Sequence, residues 1–437
     1  MEKLPRLLVV SINAWRDNTG INTLIELLRC WDRDSLGQIY TRSALPKTKI
    51  CSRFFRISEN AVMKSCMKRN IKTGSDIRNE SDMSGEDEQG IEKEKQLYQL
   101  ASKKHSILLS WMRELVWFFG KWKTKELDQF IDDFHADVLF LPIYPTIYMG
   151  RIQEYVIKKT KKPAVCYLAD DNYTYKPCGK NILAHLHRFF LRKKIRRIVN
   201  YCDQMFVIAP KQKEEYDHIF GVDSIVLTKG IDFSEITYTE QAIHHPIKMV
   251  YTGKLIIGRW KSLAAIADAL EQINHETVKM QLDIYTTDAL TEEQDRQLNK
   301  GACCVKGSVP LDQVEQIQRE ADIVIFVESL DKKYRNAARL SFSTKLTDYL
   351  KSGKCIFAIG DREIAPIDYM IQNNSAVTAT SYQEILTKLN YLCEHPEMIL
   401  QYGRAAFNCA KRNHDRVDIN QKLIHTIRRA CNATVDS

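Results

Sequence analysis

The 437-residue sequence lacks the features that mark several large classes of protein. Its opening stretch, MEKLPRLLVVSINAW, holds an apolar run of about five residues before polar ones resume, too short for a secretory h-region or a membrane span, so a cytoplasmic chain is expected. Twelve cysteines are scattered with no CxxC pair, and the neighbours Cys303 and Cys304 suit neither a disulfide nor a zinc site, so reduced structural thiols are expected. Eleven histidines show no HExxH or other ligand spacing, so neither a metal nor another cofactor is implied. No segment fits the Walker A pattern GxxxxGK[ST] or the dinucleotide pattern GxGxxG, and no repeat recurs at a fixed period. Acid is missing from one stretch in particular: residues 185–197, HLHRFFLRKKIRR, hold six Arg or Lys and no Asp or Glu.

What is present is a globular composition, 44% apolar and 27% charged, with a net charge of +9. The length exceeds what one core usually serves and argues for two domains. Short apolar runs alternate with longer amphipathic stretches. LLVVSI, DVLFLPI, AVCYLA and QMFVIA read as strands in the first half; IKMVYTG, QLDIYT, DIVIFVE and CIFAIG do so in the second. The expected fold is α/β, two Rossmann-like doubly wound parallel sheets facing across a cleft. Residues 1–236 form the first domain, 237–414 the second, and a final helix within 415–437 packs back on the first. Residues 67–96 have the composition of a mobile polar loop, and 229–246 read as the linker.

The stretch SFSTKLTDYLKSGKCIFAIG, 341–360, packs hydroxyls and a lysine into a helix start. Ser343 or Thr344 is the expected N-cap and Gly353 the left-handed stop before a strand. Free N–H groups at such a start attract an anion with about 1 kcal/mol apiece, Ser341, Ser343 and Thr344 add hydroxyls, and Lys345 adds charge, so phosphate is the natural guest. Asp348, one turn further on the same face, suits the hydroxyls of a ribose. A second stretch, YTGKLIIGRWKSLAAIADAL at 251–270, is a strand, a glycine loop and a helix; Gly253 permits the turn, and Lys254, Arg259 and Lys261 reach over the same edge toward a diphosphate. Further on, a strand ends at Gly307-Ser308, and a buried strand ends at Glu328, where α/β sheets bind ligands.

Taken in order, these residues resemble the donor domain of GT-B glycosyltransferases like those of glycosyltransferase family 4, with the likeness covering 247 to about 413. The resemblance implies transfer of a sugar from a nucleotide-sugar donor to a glycan or polyisoprenyl-linked acceptor in bacterial surface polysaccharide assembly, with retention. It further implies that Lys254 and Lys261 grip the diphosphate, that Ser343 and Thr344 bond it, that Asp348 holds the ribose and that Glu328 sits by the sugar. One departure stands out. The family often spaces its two glutamates by seven residues, whereas here Glu328 and Asp348 are separated by LDKKYRNAARLSF and its flanks, with Arg335 and Arg339 as spare cations.

In the first half, Gly20 lies in a strand-to-helix loop similar to the glycine loop of such enzymes, and Asp170 and Asp171 follow a strand, as a general base on the acceptor or as loop-ordering residues. ILLSWMRELVWFFGKWKTKEL, 107–127, and the basic helix 185–197 interleave aromatics with cations, as at an anionic membrane surface or in a core. No RNA-binding aromatic platform accompanies the positive charge, so nucleic acid is not expected as a partner. A sugar-nucleotide 2-epimerase of the same architecture and a non-catalytic protein are the competing readings.

Overall fold

The computed structural model describes residues 3–17, 23–68, 70–77 and 107–433; Gly20 and most of the polar segment 67–96 lie outside them. The chain divides into two compact units. One comprises the residues up to Ile208, Lys213–Leu227 and those from Asn420 on, and the other Ala209–Gln212 and Thr228–Ile419. The segment 229–246, expected as a linker, is thus counted with the second unit. Ile231 is fixed there by an exchange of backbone bonds: its N–H donates to His414 O at 2.8 Å and its carbonyl accepts from Arg416 N at 2.9 Å.

In the first unit the strands are β1 (Leu7–Val10), β2 (Leu36–Tyr40), β3 (Arg53–Ile57), β4 (Gly74–Ile77), β5 (Val138–Pro142), β6 (Ala164–Leu168), β7 (Gln204–Val207) and β8 (Ile225–Val226), in the order β4-β3-β2-β1-β5-β6-β7-β8. All pairs are parallel except β3 with β4. Residues 74–77 of the expected polar loop therefore form an edge strand. Gly74 is required there because a Cβ would stand 2.6 Å from the Phe55 ring. Helices cover both faces, so β1 and β5 read as unbroken apolar runs. The helix Lys125–Phe134 starts at the Thr124 hydroxyl, which accepts from Leu127 N at 3.2 Å, and stops at His135 with φ 48°, so His135 serves as a cap.

The second unit has β9 (Ile247–Thr252), β10 (Met280–Tyr285), β11 (Cys303–Gly307), β12 (Ile323–Val327), β13 (Cys355–Ile359) and β14 (Val377–Ala379), ordered β11-β10-β9-β12-β13-β14 and parallel throughout. Strand order reverses between β1 and β5 in the first sheet and between β9 and β12 in the second, and the carboxyl ends flanking such a reversal form the crevice of an open α/β sheet. Leu263, Ile266 and Leu270 of the helix Arg259–Ile273 pack onto this sheet through Met249, Leu282 and Ile325.

The helix Pro396–His414 packs at Gly403 onto the turn that feeds β13: a Cβ at 403 would lie 2.4 Å from Gly353 O. That oxygen belongs to a residue held at φ 67°, so the backbone has nowhere to retreat. Gly403→Ala is therefore expected to destabilise the chain by roughly 1–3 kcal/mol, seen as a lower urea midpoint with an unchanged m-value.

Candidate functional site

The reversal between β9 and β12 brings three sequence-distant segments together. β9 ends at Thr252 and runs into Gly253-Lys254, β12 ends at Val327 and runs into Glu328, and the helix Thr344–Ser352 begins nearby, capped by Ser343 and ended by Gly353 at φ 67°. Ser343 has the extended backbone of an N-cap, yet its side chain makes no capping bond to the helix. Lys345 folds back from the first turn, so that its ammonium donates to Thr252 O at 2.5 Å and sits 5.3 Å from the Tyr251 ring centre. Gly253 makes room for it: a Cβ there would meet Lys345 Nζ at 2.2 Å. Burial, and then the neighbouring Arg259 charge, lower the Lys345 pKa to about 8.

Glu328 is buried under this amine and gripped by Arg259, whose Nη2 donates to Oε1 at 2.9 Å and Oε2 at 3.0 Å. Burial pushes the Glu328 carboxyl above the ordinary range, and Arg259 offsets that only in part. Arg259, expected on the diphosphate, is thus committed to the carboxylate below. Lys261 pairs at 2.9 Å with Asp331 on the rim. Asp348, expected on ribose, accepts from Lys229 at 2.5 Å. Lys254 is exposed, and among the described residues neither it nor Lys345 has a carboxylate within ion-pair distance. Five cations (Lys229, Lys254, Arg259, Lys261 and Lys345) and three carboxylates (Glu328, Asp331 and Asp348) line this region, so two positive charges are left for an incoming anion.

The remaining expected residues lie elsewhere. Ser308 is exposed at the end of β11, the outer strand of the sheet, away from the reversal. Arg335 is paired with Asp361 at 2.8 Å and Arg339 is buried, so neither is a spare surface cation. In the first unit Asp171 orders its own loop. It accepts from Thr174 N at 2.9 Å, from the Thr174 hydroxyl and from Tyr216 OH at 3.1 Å, while Arg188 holds its carbonyl at 3.0 Å; Asp170 stays exposed. This geometry suits the loop-ordering role for Asp171 better than that of a base.

Sequence reading missed Tyr251, Lys229, Asp331 and Gly258. Gly258 caps the helix Arg259–Ile273 at φ 73°, and a Cβ there would press on Ser329 Oγ at 2.6 Å and the Tyr334 ring at 2.9 Å. The IIGRW stretch carried the signal for Gly258, a glycine directly before an amphipathic run. No local pattern marks the others.

The same architecture occurs in the crystal structure of Anabaena Alr3699/HepE in complex with UDP: 13% identity, 97% of this chain and 100% of that chain covered, TM-score 0.60. It occurs also in an α,α-trehalose-phosphate synthase (UDP-forming) from Burkholderia vietnamiensis, at 8% identity, 97% and 100% coverage and a TM-score of 0.58. No family model and no curated protein matches the chain. At these identities the likeness shows the fold, two Rossmann-like α/β units of GT-B type.

Proposed function

We propose that the chain is a glycosyltransferase that moves a sugar from a nucleotide-sugar donor to a glycan or polyisoprenyl-linked acceptor, with retention, in assembly of a bacterial surface polysaccharide at the inner face of the membrane. The observation that carries the donor half of this reading is the pair of cations without a carboxylate partner, Lys254 and Lys345, beside the start of the helix Thr344–Ser352, where the Ser343 side chain makes no capping bond, at the reversal of the second sheet. A nucleotide-sugar diphosphate carries two negative charges, which match them. The fold shared with structures that hold UDP supports the same choice. Departure of the sugar adds charge to the diphosphate, and preorganised cations and N–H groups meet that charge at no reorganisation cost. Glu328, locked by Arg259, offers a fixed carboxylate for sugar hydroxyls and for positive charge developing at the anomeric carbon. The donor-site roles of Ser343, Thr344, Lys254 and Lys261 belong to this reading.

A ligand that binds only the folded form raises its stability by RT ln(1 + [L]/Kd). UDP, GDP, CDP or dTDP at about 100 Kd is thus expected to add roughly 2.7 kcal/mol to the unfolding free energy, read as a rise in Tm that Lys261→Ala reduces. If none of the four nucleotides shifts Tm, the donor reading is wrong. Release of free epimerised sugar without an acceptor would replace transfer by epimerisation.

A further inference from the structure

We infer that the paired helices Ile107–Phe119 and Ile182–Val199 of the first unit form a docking face for an anionic lipid bilayer. The inference goes beyond the donor site and does not rest on it. Half of the large apolar side chains exposed among the described residues stand on these two helices. On the first, Leu108, Met112, Leu115 and Phe119 recur at the spacing of a single helical stripe and all face solvent, Phe119 at 71% exposure. On the second, Ile182 and Leu186, one turn apart, are exposed as well, Ile182 at 83%.

The two helices are held together as one platform. Trp111 Nε1 donates to Leu183 O at 3.3 Å, and its indole meets Phe190 edge-on at 6.1 Å. The buried sides are already occupied: Trp117 stacks on Tyr148 at 4.5 Å, and Arg113 holds Glu59 at 2.7 Å. Among the described residues of its unit, nothing covers the stripe.

Charge decides what lies opposite. The helix Ile182–Val199 has no acid, and the only acid of Ile107–Phe119, Glu114, is buried and accepts from Ile147 N at 2.7 Å. Cations edge the apolar stripe: Arg151 lies over the Phe118 ring at 4.7 Å and Lys193 over Phe189 at 4.4 Å, with Lys121 and Lys123 exposed just past the first helix. A second copy of the two helices would set cation against cation, with no exposed acid on either helix between them. A nucleic acid would match the cations but leave the aliphatic stripe in water. An anionic leaflet satisfies both, taking the stripe to headgroup depth and the cations against its phosphates.

The test is co-sedimentation of the full chain with phosphatidylcholine vesicles, with and without phosphatidylglycerol. Binding is expected only with phosphatidylglycerol, weakening as salt rises. The exposed pair Leu115→Ser and Phe119→Ser, made together, is expected to abolish it, and Lys193→Gln to lower the partition coefficient about fivefold, the equivalent of about 1 kcal/mol for one cation at the surface. Equal or absent binding to the two vesicle types overturns the inference, as does undiminished binding by the serine pair. A chain that is dimeric until those serines make it monomeric would assign the face to a second copy instead. Because vesicle binding is read without sugar transfer, it succeeds or fails separately from the donor-site reading.

Discussion

Replacing Lys345 by methionine is expected to lower turnover of the nucleotide-sugar donor by about 10²–10³-fold, the range for loss of one preorganised charge donor, while the folded chain keeps or gains stability. The two effects have one cause. Burial and the Arg259 charge hold the amine near pKa 8, so folding disfavours its protonated form. The sign follows from proton binding: between about pH 8 and the unfolded lysine value the unfolded chain holds the proton more tightly, so stability rises with pH across that window and the full deficit is present below it. Methionine removes the deficit.

A diphosphate does the opposite, since two negative charges beside the amine raise its pKa. Binding of UDP near pH 8 should then take up a fraction of a proton, and affinity should be full below that pH and decline above it. Titration calorimetry in two buffers of different ionisation enthalpy measures the uptake. Proton uptake that persists in Lys345→Met, or turnover that the change leaves intact, removes Lys345 from the site.

That lysine was legible in the sequence because the helix that carries it is marked locally, by an N-cap position at Ser343, two turns and a glycine stop at Gly353, whereas the seat of its ammonium, Thr252 O beside Tyr251 and Gly253, lies 93 residues away and was not. The strands whose cores are uniformly apolar were legible for the same reason, with β5, β6, β12 and β13 falling where the apolar runs lie. β2 and β3 were not. β2 carries Gln38 fully buried, its amide donating to Ser11 Oγ at 2.7 Å and Asn13 O at 2.9 Å, and Gly37 lies against the Phe134 ring; β3 buries Arg56. A polar residue whose partners come from a sequence-distant segment, here the loop after β1, breaks the apolar run without breaking the strand, and only tertiary pairing shows that it is satisfied.

The site shows the same limit more sharply. Residue types at Lys254, Glu328, Ser343 and Lys345 could be read, but what neutralises what could not. Arg259 and Glu328, Lys261 and Asp331, and Lys229 and Asp348 stand 69, 70 and 119 residues apart in the chain. The long gap between Glu328 and Asp348 has a structural use that spacing alone concealed: the helix Lys332–Ala338 fills it, brings Asp331 to Lys261 and lays Tyr334 against Gly258.

Glu328→Leu is expected to destabilise the chain by about 3–5 kcal/mol, the usual consequence of leaving a buried partner charge unpaired, and to lower Tm of the second unit by roughly 10 °C, given about 2–4 °C per kcal/mol for a unit of this size. The guanidinium of Arg259 would lose both oxygens it now holds, inside a wall of Tyr251 and Lys345. Adding Arg259→Met to the same chain should return stability to the starting level or above it, because an apolar pair of similar volume commonly equals or exceeds a buried ion pair.

The raised Glu328 pKa argues the same way. Folding favours the protonated acid, so this carboxyl contributes stability that is full below the unfolded carboxyl range and is lost as pH rises through the raised value. Once ionised, this carboxyl is held against the cost of its burial, which Arg259 offsets in part. Turnover should stay lost in the doubly substituted chain even as Tm recovers, since the apolar pair offers sugar hydroxyls no acceptor. Urea unfolding of the four chains in the cycle, read beside their activities, separates the two roles. A double variant that remains as unstable as Glu328→Leu would make the pair a structural brace, and one that regains turnover would free the chemistry from Glu328.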